Sequence, residues 1–324
     1  MPVLTVERLA THFHTRAGVV KAVDGVSFAV EAGRVLGLVG ESGSGKTVTG
    51  FSILGLVDPP GRVVDGRVLL DGESLLDKSD DEMRRLRGNR IAMIFQDPMM
   101  TLNPVLRIAT QMTETVHAHR RASRTDALAA ARAALVRVGI PSPDERLESY
   151  PHQLSGGMRQ RVAIAIALLN GPRVIIADEP TTALDVTIQA QILYEVQKLA
   201  RETGMALVWI THDLSVVAGL ADEVCVMYAG RIVESGPTSE VLDRPLHPYT
   251  TGLIASIPGR NQRGRPLAQI PGMAPSLLDV PTGCAFRERC ARALPACAEP
   301  PPLSHPVAAR TLRCFNPVPP ESAS

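Results

Sequence analysis

The chain has 324 residues, of which 45% are hydrophobic, 21% charged and 3% aromatic, and its formal net charge is +1. This composition is typical of a globular protein, and the near-neutral charge offers no general electrostatic basis for binding nucleic acid. The first residues, MPVLTVERLA, lack signal-peptide features, and the longest apolar run, VAIAIALL at residues 162–169, is far shorter than the ~20 residues that span a bilayer. We therefore expect a soluble, cytoplasmic chain.

Short β-rich segments alternate with helical patterns along the chain. The segments predicted as strands are VLTVERL, VSFAV, RVLGLVG, RIAMIFQ, RVIIADEP, MALVWITHD and EVCVMYAG. Residues 187–203 carry Ile188, Ile192, Val196 and Leu199 at helical spacing, and Gly204 follows as a stop. The alternation predicts a twisted, largely parallel α/β sheet covered on both faces.

Two regions depart from this alternation. Residues 104–153 are rich in alanine and almost free of strand signal, so they are predicted to be a helical insertion. From about residue 258 the chain becomes rich in proline and arginine, with 13 of the 26 prolines between residues 258 and 320. This tail is too poor in apolar residues to fold around a large core of its own, so other interactions must hold it if it is ordered.

The segment GESGSGKT places Gly40 and Gly45 at the ends of a loop followed by Lys46 and Thr47, between an apolar strand and a helix. In this context the glycines let backbone N–H groups point at phosphates, Lys46 neutralises phosphate charge and the Thr47 hydroxyl binds Mg²⁺. The pattern predicts an ATP-binding loop. Its predicted nucleotide-binding residues are Gly40, Glu41, Ser42, Gly43, Ser44, Gly45, Lys46, Thr47 and Val48.

A second nucleotide-binding element is RVIIADEP, in which an apolar strand ends in two acids. Asp178 is expected beside the phosphate loop, since ligands gather at the carboxyl ends of such strands, and it can hold Mg²⁺ directly or through water. Glu179 is placed to orient or deprotonate the attacking water. A strand that ends in Asp-Glu is weak evidence for a nucleotide site when it stands alone. Together with the phosphate loop it becomes strong evidence.

The segment QLSGGMRQR, residues 153–161, narrows the class of protein. Ser155 is a candidate N-cap, and Gly156 and Gly157 expose backbone N–H groups at a helix start, which favours an anion there. With this segment the chain resembles the nucleotide-binding subunits of ABC transporters. The resemblance implies that the signature, Ser155, Gly156, Gly157 and Gln160, faces the γ-phosphate of ATP bound to the other subunit of a head-to-tail dimer.

Further segments match the same family in the expected order. Gln96 in MIFQDP matches a glutamine that senses the γ-phosphate and contacts the membrane subunits, and Asp185 in the segment Ala183-Leu184-Asp185 matches a loop that crosses the dimer interface. His212 in WITHD matches a histidine that contacts the γ-phosphate, although alone it is more typical of a structural histidine. The resemblance thus implies catalytic roles for Glu179, His212 and Gln96, and Mg²⁺ ligation by Thr47, Gln96 and Asp178.

One family element is missing. Members usually stack adenine on an aromatic residue before the phosphate loop, but the corresponding window here holds Ala17, Gly18, Val19 and Val20. Phe13 lies nearby, and we favour a core position for it.

Four segments resemble one branch of the family, the dipeptide and oligopeptide importers, which also includes nickel importers. They are GESGSGKT, IFQDPMMTLNP, YPHQLSGGMRQR and, after the ATPase core, RPLHPYTTGLIASIP at residues 244–258. The resemblance implies an α/β P-loop NTPase (ABC ATPase) domain at residues 1–258, with a helical subdomain inserted at about 97–155, and a loop-rich, cysteine-containing extension at 259–324.

The resemblance also implies an assembly at the cytoplasmic face of the cell membrane. The expected partners are a second, homologous ATPase subunit in a heterodimer, two transmembrane permease subunits and an extracytoplasmic substrate-binding protein, with no nucleic acid. The expected cargo is a dipeptide or oligopeptide, and nickel or another small solute is the alternative. A rival class, ABC ATPases acting on nucleic acid or ribosomes, fits poorly because those chains usually carry two cassettes or a large insertion.

Four of the five cysteines lie in the extension, with the spacing Cys284-x5-Cys290-x6-Cys297-x16-Cys314. Disulfides are unexpected in a reducing cytoplasm, and the C-x2–4-C knuckle usual for structural zinc is absent. The resemblance to the importer branch implies a 4Fe–4S cluster on these four thiolates, and zinc and unliganded thiols remain alternatives. Cys225, within a predicted strand, is interpreted as a small core residue.

Overall fold

The computed structural model describes residues 2–181, 184–261, 264, 266–307 and 309–319. These residues divide into two compact units. The first comprises Asp77–Val208 with residues 2–3 and the short segment Glu31–Arg34, and the second comprises Leu4–Val30, Val35–Leu76 and the chain from Trp209 onward. No helix in the described ranges is long and apolar enough to cross a membrane.

The strands and helices are numbered here in chain order. In the described residues the strands β1 to β11 are Leu4–Thr15, Gly18–Val30, Val35–Val39, Gly61–Leu70, Glu73–Ser74, Ile91–Ile94, Val174–Asp178, Ala206–Thr211, Glu223–Tyr228, Arg231–Pro237 and Thr311–Leu312. The helices α1 to α10 are Lys46–Leu54, Asp80–Leu86, Ile108–His117, Arg124–Arg137, Pro143–Glu148, Gly156–Leu168, Val186–Thr203, Leu214–Leu220, Thr238–Asp243 and Pro248–Ala255. Each of the seven predicted strand segments contains a strand, which confirms those predictions.

The second unit contains an antiparallel sheet with the strand order β2-β1-β4-β5. The sequence predicted a largely parallel sheet and did not identify β4 or the separate antiparallel sheet. The short β1–β2 connection explains why these two strands are antiparallel. Thr15 pairs with Gly18, so only residues 16–17 form the turn. A two-residue connection can join only antiparallel strands.

Parallel pairing is found in both units. In the second unit β3 pairs with β9 in parallel, and β10 and β11 extend that edge in antiparallel fashion. In the first unit β6 pairs with β7 in parallel, from Ile91 opposite Val174 to Ile94 opposite Ala177. Both β3 and β7 are buried along their whole length, as expected for strands covered on both faces.

Residues 104–153 are helical, as predicted, since they form α3, α4, α5 and a short 3₁₀ turn at Pro151–Gln153. Helix α4 buries Ala127, Ala131 and Leu135, and it packs against α3 and α6. Small alanine side chains allow this close approach. The predicted helix at residues 187–203 is also confirmed as α7, and Gly204 ends it with a left-handed φ of 69°.

The C-terminal extension packs onto the core of the second unit. Phe286, which is 4% exposed, joins a cluster with Tyr228 and Tyr249, in which the ring centroids are 4.6–5.4 Å apart. Aromatic pairs at such distances add about 0.5–1.5 kcal/mol each beyond their burial. Cys225 is 3% exposed in β9, which confirms it as a core residue, and burial raises its pKa to about 12.

Candidate functional site

The phosphate loop follows β3 and leads into α1, as predicted. Gly40, Gly43 and Gly45 have φ values of 155°, 77° and 101°, which favour glycine. A Cβ atom on Gly40 would lie 2.2 Å from the Met227 carbonyl oxygen, and one on Gly45 would lie 2.1 Å from the Ala22 carbonyl oxygen. The loop can therefore approach its neighbours only with glycine at both positions.

Lys46 begins α1 and is 5% exposed. Its Nζ donates to the carbonyl oxygens of Gly40 at 2.7 Å and Glu41 at 3.0 Å, so the ammonium lies under the loop backbone. Ser42 and Gly43 are exposed at the tip of the loop, while Thr47 and Val48 are half-buried in the first turn of α1. A cationic side chain and the N-terminal end of α1 meet here, which is the electrostatic arrangement that phosphate groups require.

In the first unit, the acids Asp178 and Glu179 stand at the end of β7. Asp178 is 3% exposed, whereas Glu179 is half-buried and has a left-handed φ of 43°. Gln96, which follows β6, donates from Nε2 to Glu179 Oε2 at 3.4 Å. The structure thus brings together two of the three predicted catalytic residues, and it does so because β6 and β7 are neighbours.

The signature segment forms the start of α6. Ser155 is its N-cap, and the Ser155 Oγ accepts a hydrogen bond from the Met158 N–H at 3.3 Å. Ser155 and Gly156 are exposed, and a Cβ atom on Gly156 would meet nothing within 4 Å. Gln160 differs, since it is only 3% exposed. The predicted N-cap is confirmed, and α6 begins with an exposed Ser155 and Gly156, whereas Gly157 is half-buried beside Ile188 and Leu184.

Two further predicted residues begin or precede helices. Asp185 is the exposed N-cap of α7 and accepts a hydrogen bond from the Ile188 N–H at 3.0 Å. Ala183, in the same predicted loop, lies outside the described residues. His212 is exposed directly after β8, where Asp213 caps α8. Both positions place polar side chains at the carboxyl end of a strand or the start of a helix.

Phe13 occupies a packing position. A Cβ atom on Gly61, its partner in β4, would lie 2.5 Å from the Phe13 ring. The ring packs against that strand but is only half-buried, so the core position favoured from the sequence is met only in part.

The phosphate loop has contacts that the sequence did not reveal. The Glu41 backbone N–H donates to the Tyr249 hydroxyl at 2.9 Å. The Glu41 carboxylate accepts two hydrogen bonds from Arg289, at 2.7 and 3.0 Å. Tyr249 belongs to α10, and Arg289 belongs to the extension. The only sequence signal at Arg289 is an arginine next to Cys290, which does not indicate a partner 248 positions away.

The four extension cysteines lie near one another. All are free thiols, and the Cys284 N–H donates to the Cys297 carbonyl oxygen at 3.0 Å. Burial raises the pKa of Cys284 and Cys290. It also raises the pKa of Cys314 to about 11, and a hydrogen bond from the Asn316 N–H opposes this only in part. Among the residues that the structure describes, no three His, Cys, Asp or Glu side chains are placed to hold a metal ion together.

A glycine-rich loop between β3 and α1, a buried lysine under that loop, and an acidic strand end at β7 define a P-loop nucleotide hydrolase. Two family models match the chain. The model described as ABC transporter matches residues 23–182, and the model described as Oligopeptide/dipeptide transporter, C-terminal region, matches residues 233–297.

Relatives and solved structures agree with these matches. A putative peptide import ATP-binding protein of Brucella abortus (strain 2308) is 50% identical over 328 residues, covering 97% of each chain. The oligopeptide transport ATP-binding protein OppD of Escherichia coli (strain K12) is 45% identical over 315 residues, covering 97% of this chain and 93% of that one. The dimeric post-hydrolysis state of the ATP-binding cassette MJ0796, bound to ADP and Pi, superposes with a TM-score of 0.66 at 27% identity, covering 72% of this chain and 98% of that one. The chain therefore belongs to the ABC transporter ATP-binding family, among the members with an oligopeptide/dipeptide transporter C-terminal region, and it is an ATPase.

Proposed function

We propose that this chain is the ATP-binding and hydrolysing subunit of an importer that carries dipeptides or oligopeptides across the cytoplasmic membrane. The observation that carries this proposal is the match of residues 233–297 to the oligopeptide/dipeptide transporter C-terminal region. The names of relatives at 45–50% identity over nearly the whole chain support the same cargo. We further propose an ATPase domain at residues 1–258, with a helical subdomain at about 97–155, followed by the extension.

The loop residues 40–48 are proposed to bind the phosphates of ATP. The backbone cradle that glycine permits at Gly40 and Gly45, together with the buried Lys46, fits a polyphosphate. The hydroxyl of Thr47, the amide oxygen of Gln96 and the carboxylate of Asp178 are proposed to hold Mg²⁺. Hard oxygen donors of this kind are the ligands that Mg²⁺ prefers, and the ion neutralises phosphate charge when it is bound.

Glu179 is proposed to orient or deprotonate the water that attacks the γ-phosphate in line. The hydrogen bond from Gln96 supports this role, because it helps to fix the orientation of the Glu179 carboxylate. His212, exposed at the strand end after β8, is proposed to contact the γ-phosphate. Positioning and charge neutralisation then supply most of the acceleration.

The signature residues Ser155, Gly156 and Gly157, with Gln160, are proposed to face ATP bound to a second ATPase subunit. The exposure of Ser155 and Gly156 at the start of α6 supports this role, because the N-terminal end of a helix favours a negatively charged group. Asp185 is proposed to lie at the interface between the two subunits. The second subunit is a homologous but distinct chain, so that the ATPase is a heterodimer at the cytoplasmic face of the membrane.

The other proposed partners are two transmembrane permease subunits and an extracytoplasmic substrate-binding protein. ATP binding closes the ATPase dimer, closure acts on the permeases, and hydrolysis resets the assembly. The binding protein and the permeases select the cargo, so the identity of the peptide is set outside this chain.

The cysteines Cys284, Cys290, Cys297 and Cys314 are proposed to bind a 4Fe–4S cluster, with zinc as the alternative. Four gathered thiols without a disulfide form a donor set of the right chemistry, although the described side chains are not arranged as a metal site. A bound metal centre would act as a staple for a segment with little apolar core.

Co-purification from the native host tests the importer assignment. The tagged chain would be extracted with membranes under anaerobic conditions, and its companions would be identified by mass spectrometry. We expect two permeases and a second ATPase, in a brown sample if a cluster is bound. Uptake of labelled peptide and of nickel by cells with and without the chain then identifies the cargo. Recovery with ribosomes or nucleic-acid enzymes and without permeases would contradict the proposal.

A further inference from the structure

The side chain of Arg289 joins the C-terminal extension to the phosphate loop. Its Nη1 donates to Glu41 Oε2 at 2.7 Å, and its Nη2 donates to Glu41 Oε1 at 3.0 Å, which is a two-point bond between a guanidinium and a carboxylate. The Arg289 side chain is 7% exposed and that of Glu41 is 30% exposed. Two parallel hydrogen bonds between largely buried side chains fix the orientation of the Glu41 carboxylate as well as its distance from Arg289. A lysine has no planar pair of donors and cannot form them.

Arg289 is itself held in one orientation. Its Nε donates to the Pro271 carbonyl oxygen at 2.9 Å, and its Nη1 also lies 3.2 Å from the Tyr228 hydroxyl. The guanidinium lies 5.8 Å from the ring centroids of both Tyr228 and Phe286. These contacts come from β9 and from two parts of the extension. The two N–H donors of the guanidinium are therefore already oriented for the Glu41 carboxylate.

Glu41 in turn is a contact of Lys46. The carbonyl oxygen of Glu41 accepts a hydrogen bond from Lys46 Nζ at 3.0 Å, and its N–H donates to the Tyr249 hydroxyl. Arg289 thus binds the side chain of Glu41, and the backbone carbonyl of Glu41 helps to position Lys46 in the phosphate loop. Residues 274–277 of the extension also border a cavity of about 310 Å³ beside residues 41–44.

We propose that Arg289 is a positioning residue for ATP binding: through Glu41 it holds the phosphate loop in the conformation that accepts phosphate. This inference rests on the proposed function of residues 40–48. Holding the extension in place is a different role, and other contacts of the extension serve it. Arg310 forms a buried ion pair with Glu234 of β10 and donates to the Arg244 carbonyl oxygen at 2.9 Å.

The test measures ATP affinity and steady-state hydrolysis in the purified full-length chain. Arg289→Met removes the fork and keeps an apolar stem of similar length. Because the variant loses both charge-assisted hydrogen bonds to Glu41, we expect the Kd and KM for ATP to rise by about tenfold or more, with a smaller change in kcat. Arg289→Lys should restore part of the affinity, and Glu41→Gln combined with Arg289→Met should cost less than the sum of the two single changes.

Arg292→Met is the matched control, because Arg292 lies three positions further along the extension and its hydrogen bonds go to Asn316 and Pro317. We expect its ATP affinity to match that of the wild type. If Arg289→Met lowers the melting temperature but leaves Kd and KM for ATP unchanged, Arg289 only anchors the extension and the inference is wrong. If Arg289→Met does not fold, Arg289→Lys and Glu41→Gln decide by the same measurement.

A parallel variant separates this inference from the proposed function. Lys46→Ala should abolish ATP binding. If Lys46→Ala binds ATP normally, the assignment of the loop fails and the role of Arg289 fails with it. If Lys46→Ala loses binding while Arg289→Met and Glu41→Gln both keep it, only the inference about Arg289 is overturned.

Discussion

At Glu179 the backbone adopts a conformation that is costly for a residue with a side chain. The φ of 43° lies in the left-handed region, directly after a fully buried strand. Such a conformation costs on the order of 1–3 kcal/mol, and it persists only where the surroundings impose it. Here it directs the carboxylate toward Gln96. A strained acid that another polar side chain orients is typical of a catalytic group.

Replacing Glu179 by Gln tests this assignment at the level of one residue. The amide keeps the shape of the side chain but cannot take a proton, so we expect ATP binding close to that of the wild type and a kcat lower by a factor of about 10² or more. The measurement is single-turnover hydrolysis beside equilibrium ATP binding. Glu145→Gln, on the exposed surface of α5, is the control and should leave both unchanged. Undiminished hydrolysis in Glu179→Gln would refute the role of Glu179 as the base.

At the scale of an element, the start of α10 depends on an uncharged histidine. His247 is 1% exposed, and its Nδ1 accepts a hydrogen bond from the Tyr249 N–H at 3.0 Å, which caps the helix. The backbone N–H of His247 donates to Glu234 Oε2 at 2.9 Å. Burial lowers the pKa of His247 to about 4, and a hydrogen bond to the Arg313 backbone opposes this only in part. Protonation would remove the acceptor that caps α10.

The sign of the pH dependence follows from the direction of this shift. In the unfolded chain His247 titrates near its ordinary pKa of 6.5, whereas in the folded chain it stays neutral down to about pH 4. Its contribution to stability is therefore complete above about pH 6.5 and is lost as the pH falls toward 4, by roughly 3 kcal/mol in total. We expect urea unfolding at pH 7 and pH 4.5 to show about two thirds of this loss. His247→Asn, which keeps a cap acceptor without titrating, should lose less stability over that range, and equal losses in the two proteins would contradict the assignment.

For the molecule as a whole, local patterns predicted the elements that depend on local physics. The apolar run of β7 and the helical spacing of Ile192, Val196 and Leu199 each predicted the right element. Both signals depend only on residues close together in the sequence. The loop from Gly40 to Lys46 was recognisable because phosphate binding fixes residue types at fixed spacing.

What the sequence did not reveal depends on contacts between distant residues. The strand β4 pairs with β1 over residues that are 48–66 positions apart, and its segment GRVVDGRVLL contains two glycines and three charged residues, which obscure the strand pattern. The bond from Arg289 to Glu41 joins residues 248 positions apart. The residues around Arg289 in the sequence do not show whether its side chain is exposed or bound to the phosphate loop, so only the folded chain reveals the contact.

The extension illustrates how a segment with little apolar core is held by polar contacts. Arg310 is 2% exposed, pairs with the fully buried Glu234 and donates to the Arg244 carbonyl oxygen at 2.9 Å. Glu234 also accepts from the N–H groups of Leu246 and His247. Next to Arg310, β11 adds to the edge of β10. The arginines of the tail thus replace part of the apolar core that the sequence lacks.

Arg310→Met tests how much of the fold depends on this buried pair. The variant leaves the Glu234 carboxylate buried without its cation, and removing one partner of such a pair costs about 3–5 kcal/mol. We expect the free energy of unfolding in urea to fall by that amount. Adding Glu234→Gln to Arg310→Met should recover part of the loss, because no unpaired charge then remains buried.

Arg132→Met is the matched control, since Arg132 pairs with Asp144 while both side chains are more than half exposed, at 52% and 71%. An exposed pair contributes about 1 kcal/mol or less, so equal losses from Arg132→Met and Arg310→Met would show that the buried pair does not hold the extension.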